Sequence, residues 1–281
     1  MGLLMQLALV GDSPNLGVSE LTTVAAALQK QLARDLVRFW DVNATLIPVT
    51  ALEDVPVGSW PIIVRDDIDN EAAGVHCDTN GQPMALVTFD QHWSVTASHE
   101  MLEMVVDPFG RRTVAGQSLE PNQGRVEYLV EVADPIGDSN YPVNDVKVSD
   151  FITPNYYDPL AGAGVQYCCT GALTGPRTLL PNGYVTWHDP VGNEWWQQSR
   201  FTPAGPELTN LGPQIDHECG IRSAVDPLAA RRRRDSGGIS ATRWETTAAD
   251  NSRTRGVAES RRAKAEAWRK RIAQIKARPR P

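Results

Sequence analysis

Residues 98–108, Ser-His-Glu-Met-Leu-Glu-Met-Val-Val-Asp-Pro, contain the feature that most constrains this chain. On an α-helix, positions i, i+4 and i+8 drift by only about 40° per step, so His99, Glu103 and Asp107 are predicted to share one face. Glu100 lies about 100° round the helix from His99. The apolar residues fall on the opposite side, where a helix packs on a core: Val95, Met101, Leu102, Val105 and Val106.

The polar side of this predicted helix is acidic and has no local counter-charge. No Lys or Arg occurs between residues 66 and 110, so carboxylates gathered there would repel one another. A bound cation resolves that repulsion, and we predict that His99 and Glu103 ligate a divalent metal. Zinc is the first choice. A carboxylate such as Glu103 is a harder ligand than histidine, so other divalent metals remain candidates. The alternative is a solvated helix face that binds no ion.

Length and composition favour one large domain with an appendage. The chain has 281 residues, of which 41% are hydrophobic, enough to bury a substantial core. No apolar run approaches the roughly 20 residues of a membrane span, so we predict no transmembrane segment. Residues 3–10 lack a basic n-region, which predicts a buried strand and no signal peptide.

Hydrophobic periodicity predicts the order strand, long helix, strands, hairpin and then the His99 helix. The helix is expected over residues 18–42, with apolar residues at helical spacing. The hairpin turns at residues 78–81, Asp-Thr-Asn-Gly. The predicted strands cover residues 5–11, 44–49, 60–68, 74–77 and 84–89.

This element order, with the S-H-E-x-x-E-x-x-x-D-P core, resembles the zincin-like metallopeptidases, as a gluzincin-type HExxE variant. The resemblance is to uncharacterised bacterial and phage proteins with that core, and distantly to EXORDIUM-like plant proteins. It implies an α+β, zincin-like fold. A twisted mixed sheet would lie over the active-site helix, its edge strand would border the substrate cleft, and a β-rich lower part would close it.

The same resemblance implies roles for residues 127–135, Glu-Tyr-Leu-Val-Glu-Val-Ala-Asp-Pro. In gluzincins a later helix donates a glutamate as third ligand, which corresponds here to Glu131. Asp134 would sit behind the metal ligands and accept a hydrogen bond from His99. Glu127 and Asp107 remain alternative ligands.

The implied activity is that of a zinc metallopeptidase acting on a peptide or protein substrate. His99, Glu103 and Glu131 would leave one metal position for water, and Glu100 would act as general base. Three further residues could stabilise an oxyanion, although an ordinary packing or rim role is favoured for each of them: Tyr156, Tyr157 and His188.

The C-terminal part differs from the rest in charge and composition. Residues 1–200 form the predicted zincin-like domain, residues 201–238 a Pro/Gly-rich connector, and residues 239–281 a basic helical tail. From Arg231 onward there are 16 Lys and Arg against 5 Asp and Glu, while the preceding residues have 11 against 29. The predicted amphipathic helix at 257–276 suits an acidic surface, a neighbouring subunit or nucleic acid, and a solvated disordered tail is the alternative.

A second function stays open on these grounds. The chain fits a non-catalytic, zincin-derived structural protein, for example a phage virion or assembly component, whose tail docks a partner. The expected location is accordingly cytoplasmic or virion-associated.

Overall fold

A computed structural model describes residues 4–213 apart from 69, 71 and 161, residues 222–237, and residues 259, 260, 262, 263, 266 and 270. Within these residues the chain is α+β, as predicted, with two five-stranded sheets and three α-helices. No helix in the described part is long and apolar enough to cross a membrane.

The first half of the chain builds the upper sheet, in the order β2-β1-β3-β5-β4. Strands β1, β2, β3 and β5 are parallel, and β4 is an antiparallel edge strand paired with β5. The β4–β5 hairpin turns where the sequence predicts, with Asn80 and Gly81 at positive φ. The strands are β1 Leu4–Gly11, β2 Asn43–Val49, β3 Trp60–Arg65, β4 Gly74–Thr79 and β5 Gln82–Thr88.

The helix predicted over residues 18–42 consists of three segments with different helical geometry. Helix α1 covers Val18–Lys30, continues as a π-helical segment over Gln31–Asp35, and ends in a 3₁₀ turn at Leu36–Arg38. The π segment turns the polar Gln31 into the protein interior, where it is fully buried.

The second half forms the lower, antiparallel sheet, in the order β12-β11-β10-β7-β6. Strands β10 and β11 are joined by an antiparallel hairpin, whereas the described residues from 150 to 183 contain no named strand. The lower strands are β6 Thr113–Gln117, β7 Arg125–Leu129, β10 Tyr184–Asp189, β11 Glu194–Thr202 and β12 Gly205–Pro213, and a separate ribbon is formed by β8 Asn140–Val143 and β9 Val146–Ser149.

Helix α2, Trp93–Val106, follows the upper sheet directly and contacts β3, β4, β5 and β9. One continuous core of buried apolar residues joins the upper sheet, α1, α2 and the lower strands. The helix that carries His99 is therefore enclosed between the two halves.

The segment predicted as an extended connector contains ordered elements. It includes β12 and helix α3, Arg222–Asp235, which contacts β4 and β11. Arg232 donates to Gln197 at 2.9 Å and Ser199 at 3.3 Å, and Arg233 forms a bidentate pair with Asp138. Most of the helix predicted at 257–276 lies outside the described residues. The Ser260 hydroxyl accepts a 2.8 Å hydrogen bond from the Gln166 backbone.

Candidate metal centre

Helix α2 is buried on more than its apolar side. Ten of its fourteen residues are buried, and they include Glu100 and Glu103. The sequence predicts one buried and one polar face, but β4 of the upper sheet and the turn at Asp134 cover much of the acidic side too. The imidazole of His99 stays 23% exposed, while the Glu103 carboxylate is 0% exposed.

His99, Glu103 and Asp134 meet at one point. His99 Nε2 lies 3.3 Å from Glu103 Oε2 and 3.2 Å from Asp134 Oδ1. One donor atom from each residue falls within 4.8 Å of the others, which makes the trio a candidate metal-binding group. Both carboxylates approach the same ring nitrogen.

The acidic surroundings set the protonation of His99 in the metal-free protein. Burial by itself lowers the pKa of this imidazole. The charge of Glu103, the hydrogen bonds to Asp134 and Glu103, and the charge of Glu100 outweigh burial, so the pKa of His99 is raised well above its usual value. The protonated His99 ring then places a positive charge beside Glu103 and Asp134, where a metal cation would bind.

Asp134 belongs to a short 3₁₀ turn and not to the later helix that the resemblance implies. Strand β7 ends at Leu129, and a 3₁₀ turn covers Asp134–Ile136. The backbone N–H of Ala133 donates to Glu103 Oε1 at 3.0 Å, which ties this turn to α2. Leu180 N–H donates to the Pro135 carbonyl at 3.0 Å on the other side.

A glycine permits that close approach. A side chain on Gly183 would overlap the Pro135 carbonyl oxygen and come within 3.0 Å of the Asp134 carbonyl oxygen. Only hydrogen fits between these backbones, so Gly183 determines how near the Asp134 turn lies to the lower sheet.

The other carboxylates predicted as ligands do not belong to the group around His99. Glu131 is buried but belongs to neither metal-binding group found among the described residues. Glu127 is half exposed on the lower sheet, with Oε2 3.6 Å from His188 Nδ1. Asp107 follows the last residue of α2, and its carboxylate accepts a 2.7 Å hydrogen bond from Arg112 N–H.

The sequence analysis missed His76. This histidine comes from β4, is 1% exposed, and places Nδ1 3.4 Å from Glu100 Oε2 and 3.9 Å from Glu103 Oε2. His76, Glu100 and Glu103 form the second candidate group. The available signal was only a histidine on the hairpin strand before α2, because alternation with the apolar Val75 and Cys77 predicts the opposite face for His76.

A buried polar network fixes the start of the motif. The Ser98 hydroxyl donates to Gln31 Oε1 at 2.7 Å and accepts from Ser149 N–H at 3.0 Å. Gln31 Nε2 donates in turn to the Ser149 carbonyl at 2.8 Å. The π-helical segment therefore holds the residue next to His99.

Of the three oxyanion candidates, Tyr156 and Tyr157 lie close enough to Asp134 to feel its charge. Burial is the main cause that raises the pKa of Tyr157, and the neighbouring side chains raise it further: Tyr156, Glu131, Glu103 and Asp134. The Tyr157 hydroxyl donates to the Leu129 carbonyl at 3.2 Å. His188 is on the lower sheet, where its nearest ring partner is Trp195.

The residues of the first group fit a tetrahedral metal. Two ligand atoms, each about 2.1 Å from a tetrahedral zinc ion, are roughly 3.4 Å apart. The contacts of His99 Nε2 with Glu103 and Asp134, 3.3 and 3.2 Å, are close to that spacing. One nitrogen and two carboxylate oxygens, with partial solvent access at His99, leave room for a fourth ligand.

Comparison of the chain with protein-family models, curated proteins and solved structures gives no match.

Proposed function

We propose that this protein is a metal-dependent hydrolase, most simply a zinc peptidase. The observation that carries the proposal is the convergence of His99, Glu103 and Asp134 on one point at the spacing of zinc ligands. The partly exposed His99 gives this point a route to solvent.

The geometry supports Asp134 as the third ligand in place of Glu131. A carboxylate that only orients a metal-bound histidine contacts the ring nitrogen that does not bind the metal. Asp134 contacts Nε2, the nitrogen that also faces Glu103. Its contact is therefore on the metal side of the ring, and Glu131 is assigned to the surrounding buried layer.

Glu100 is the proposed general base. It neighbours the cluster closely enough to raise the pKa of His99, yet it is not one of the three residues around His99 Nε2. A divalent ion held there supplies a Lewis acid and lowers the pKa of water. The Glu100 carboxylate would accept the proton from water and donate it to the leaving amine.

The topology supports the zincin-like part of the proposal. An upper sheet with one antiparallel edge strand, followed at once by the helix that bears H-E-x-x-E, is the arrangement that the resemblance implies. The edge strand β4 would then border the cleft of an extended peptide substrate.

The test combines metal content with hydrolysis of a peptide library. Wild type should bind one divalent ion per chain and cleave peptides, and His99→Ala should lose both properties. Glu100→Gln should retain the ion and lose on the order of 10²-fold or more in kcat. A metal-loaded wild type that cleaves nothing would favour the structural alternative, in which the ion only stabilises the fold. The partner of the basic tail stays a separate prediction.

A further inference from the structure

His76 reaches α2 from the edge strand of the upper sheet, and both of its ring nitrogens have contacts. Nε2 lies 3.3 Å from the carbonyl oxygen of Asp107, and Nδ1 lies 3.4 Å from Glu100 Oε2. The His76 imidazole therefore links the backbone at the C-terminal end of α2 with the Glu100 carboxylate in the middle of that helix.

The Asp107 contact fixes how the ring is oriented. A carbonyl oxygen can only accept, so Nε2 carries a hydrogen that it donates to Asp107. A carboxylate also only accepts, so a hydrogen bond from Nδ1 to Glu100 requires a second hydrogen on Nδ1. The ring is 1% exposed, which leaves it no alternative partner in solvent.

A second residue of β4 constrains the same carboxylate. A side chain on Gly74 would come within 2.7 Å of Glu100 Oε1, 2.9 Å of Glu100 Cγ and 2.6 Å of Thr96 Cγ2. A Cβ at residue 74 would therefore require the side chains of Glu100 and Thr96 to shift. The backbone at Gly74 limits the space around Glu100 Oε1, and His76 contacts Glu100 Oε2.

These distances argue against His76 as a metal ligand. Its Nδ1 is 3.9 Å from Glu103 Oε2, whereas His99 Nε2 is 3.3 Å from that same oxygen. Its second nitrogen is engaged by the backbone, and its side chain is 0% exposed, so a metal position beside it would have no open site for water.

We propose that His76 is a positioning residue that, together with Gly74, holds the Glu100 carboxylate beside the metal and prevents it from joining the ligands. The inference rests on the proposed function, since it assigns to Glu100 the role of base. It explains how an edge strand contributes to the reaction without touching the substrate's scissile bond.

A double-mutant cycle tests this in the full-length, metal-loaded protein. His76→Phe retains ring shape and removes both nitrogens, and it should lower kcat about 10-fold or more with KM little changed. In the Glu100→Gln background the same change should have no further effect, because the residue acts through Glu100. Equal losses in both backgrounds would overturn the proposal. The exposed His92→Phe is the matched control and should leave kcat unchanged.

Two readouts do not depend on turnover. Metal content of His76→Phe should stay at one ion per chain, and a lower content would identify His76 as a ligand and refute the positioning role. A crystal structure of the metal-loaded variant should show the Glu100 carboxylate displaced by about 1 Å or more. A carboxylate that keeps its place would refute the inference, even if wild type cleaves no peptide and the proposed function itself fails.

Gly74→Ala provides an independent variant if His76→Phe does not fold. It leaves His76 in place and displaces Glu100 through the new Cβ, so it should give the same displaced carboxylate and loss of kcat. Unchanged kcat and an unmoved Glu100 in Gly74→Ala would contradict the proposal.

Discussion

At the scale of single residues, the site depends on which atom each carboxylate contacts. Asp134 and Glu131 are both buried acids in one short segment. Only Asp134 contacts His99 Nε2, at 3.2 Å, whereas Glu131 lies outside both candidate groups. Two residues of the same charge, three positions apart, therefore have different expected roles, and each can be tested separately.

Asp134→Asn should weaken zinc binding by about 100-fold or more, because it removes a charged ligand. Glu131→Gln should change the zinc dissociation constant by less than about tenfold. Competition with a chromophoric chelator measures both constants. If Glu131→Gln abolishes binding while Asp134→Asn retains it, the ligand assignment returns to Glu131.

Metal affinity should fall as the solution becomes more acidic. The pKa of His99 is raised in the metal-free protein, whereas a ligand must be unprotonated, so metal uptake displaces a proton below that raised pKa. Below it the apparent affinity should drop up to about tenfold per pH unit. Calorimetry in two buffers of different protonation enthalpy should report proton release. Uptake without proton release between about pH 6 and 7 would contradict the raised pKa.

At the scale of elements, the candidate metal centre is assembled from two separate elements, helix α2 and the 3₁₀ turn at Asp134–Ile136. Ala133 N–H donates to Glu103, and the turn continues over Asp134–Ile136 against residues 180–183. The backbones are close enough that Gly183 has no room for a Cβ. The position of the third ligand therefore depends on backbone packing in the lower half.

Gly183→Ala should push the Asp134 turn away from the lower sheet and so reduce metal affinity as well as stability. We expect a loss of about 1–3 kcal/mol in the free energy of unfolding, typical of overpacking. Gly175→Ala is the matched control, since its nearest neighbour would be Thr178 Cγ2 at 3.5 Å, an ordinary contact. Denaturant unfolding with a parallel zinc titration measures both effects. Equal behaviour of the two variants would show that the close approach does not hold the turn.

At the scale of the whole molecule, helix α3 connects the two halves. It contacts β4 of the upper sheet and β11 of the lower sheet, and Arg233 pairs with Asp138, four residues after Asp134. The arginine cluster at 231–234 therefore belongs in part to the folded body and only in part to a separate tail.

Arg233→Ala should lower stability by no more than about 1 kcal/mol, since the paired side chains are 41% and 24% exposed and water competes for them. The destabilisation should shrink at high salt. Thermal unfolding at low and high salt, with the exposed Arg111→Ala as control, measures the difference. A loss of several kcal/mol would mean that α3 is an obligatory part of the core.

The amino-acid sequence by itself determined the local features. Periodicity located the strands of the upper sheet, the β4–β5 turn and the helix that bears His99, because these depend on hydrophobic spacing and turn residues close together in the chain. It also identified His99, Glu100 and Glu103. Glu103 is about one helical turn from each of the other two, which makes it their neighbour without any tertiary information.

Tertiary structure decided what residues distant in the chain do. Asp134 lies 31 positions after Glu103, and His76 lies 24 before Glu100, so no periodicity relates them to α2. The resemblance already predicts the contact between Asp134 and His99. Only the packing of the 3₁₀ turn and the edge strand against α2 placed Asp134 at Nε2, the nitrogen that also faces Glu103, and brought His76 to Glu100. The same packing buried the acidic side of α2, because β4 of the upper sheet covers Glu100 and the Asp134 turn covers Glu103.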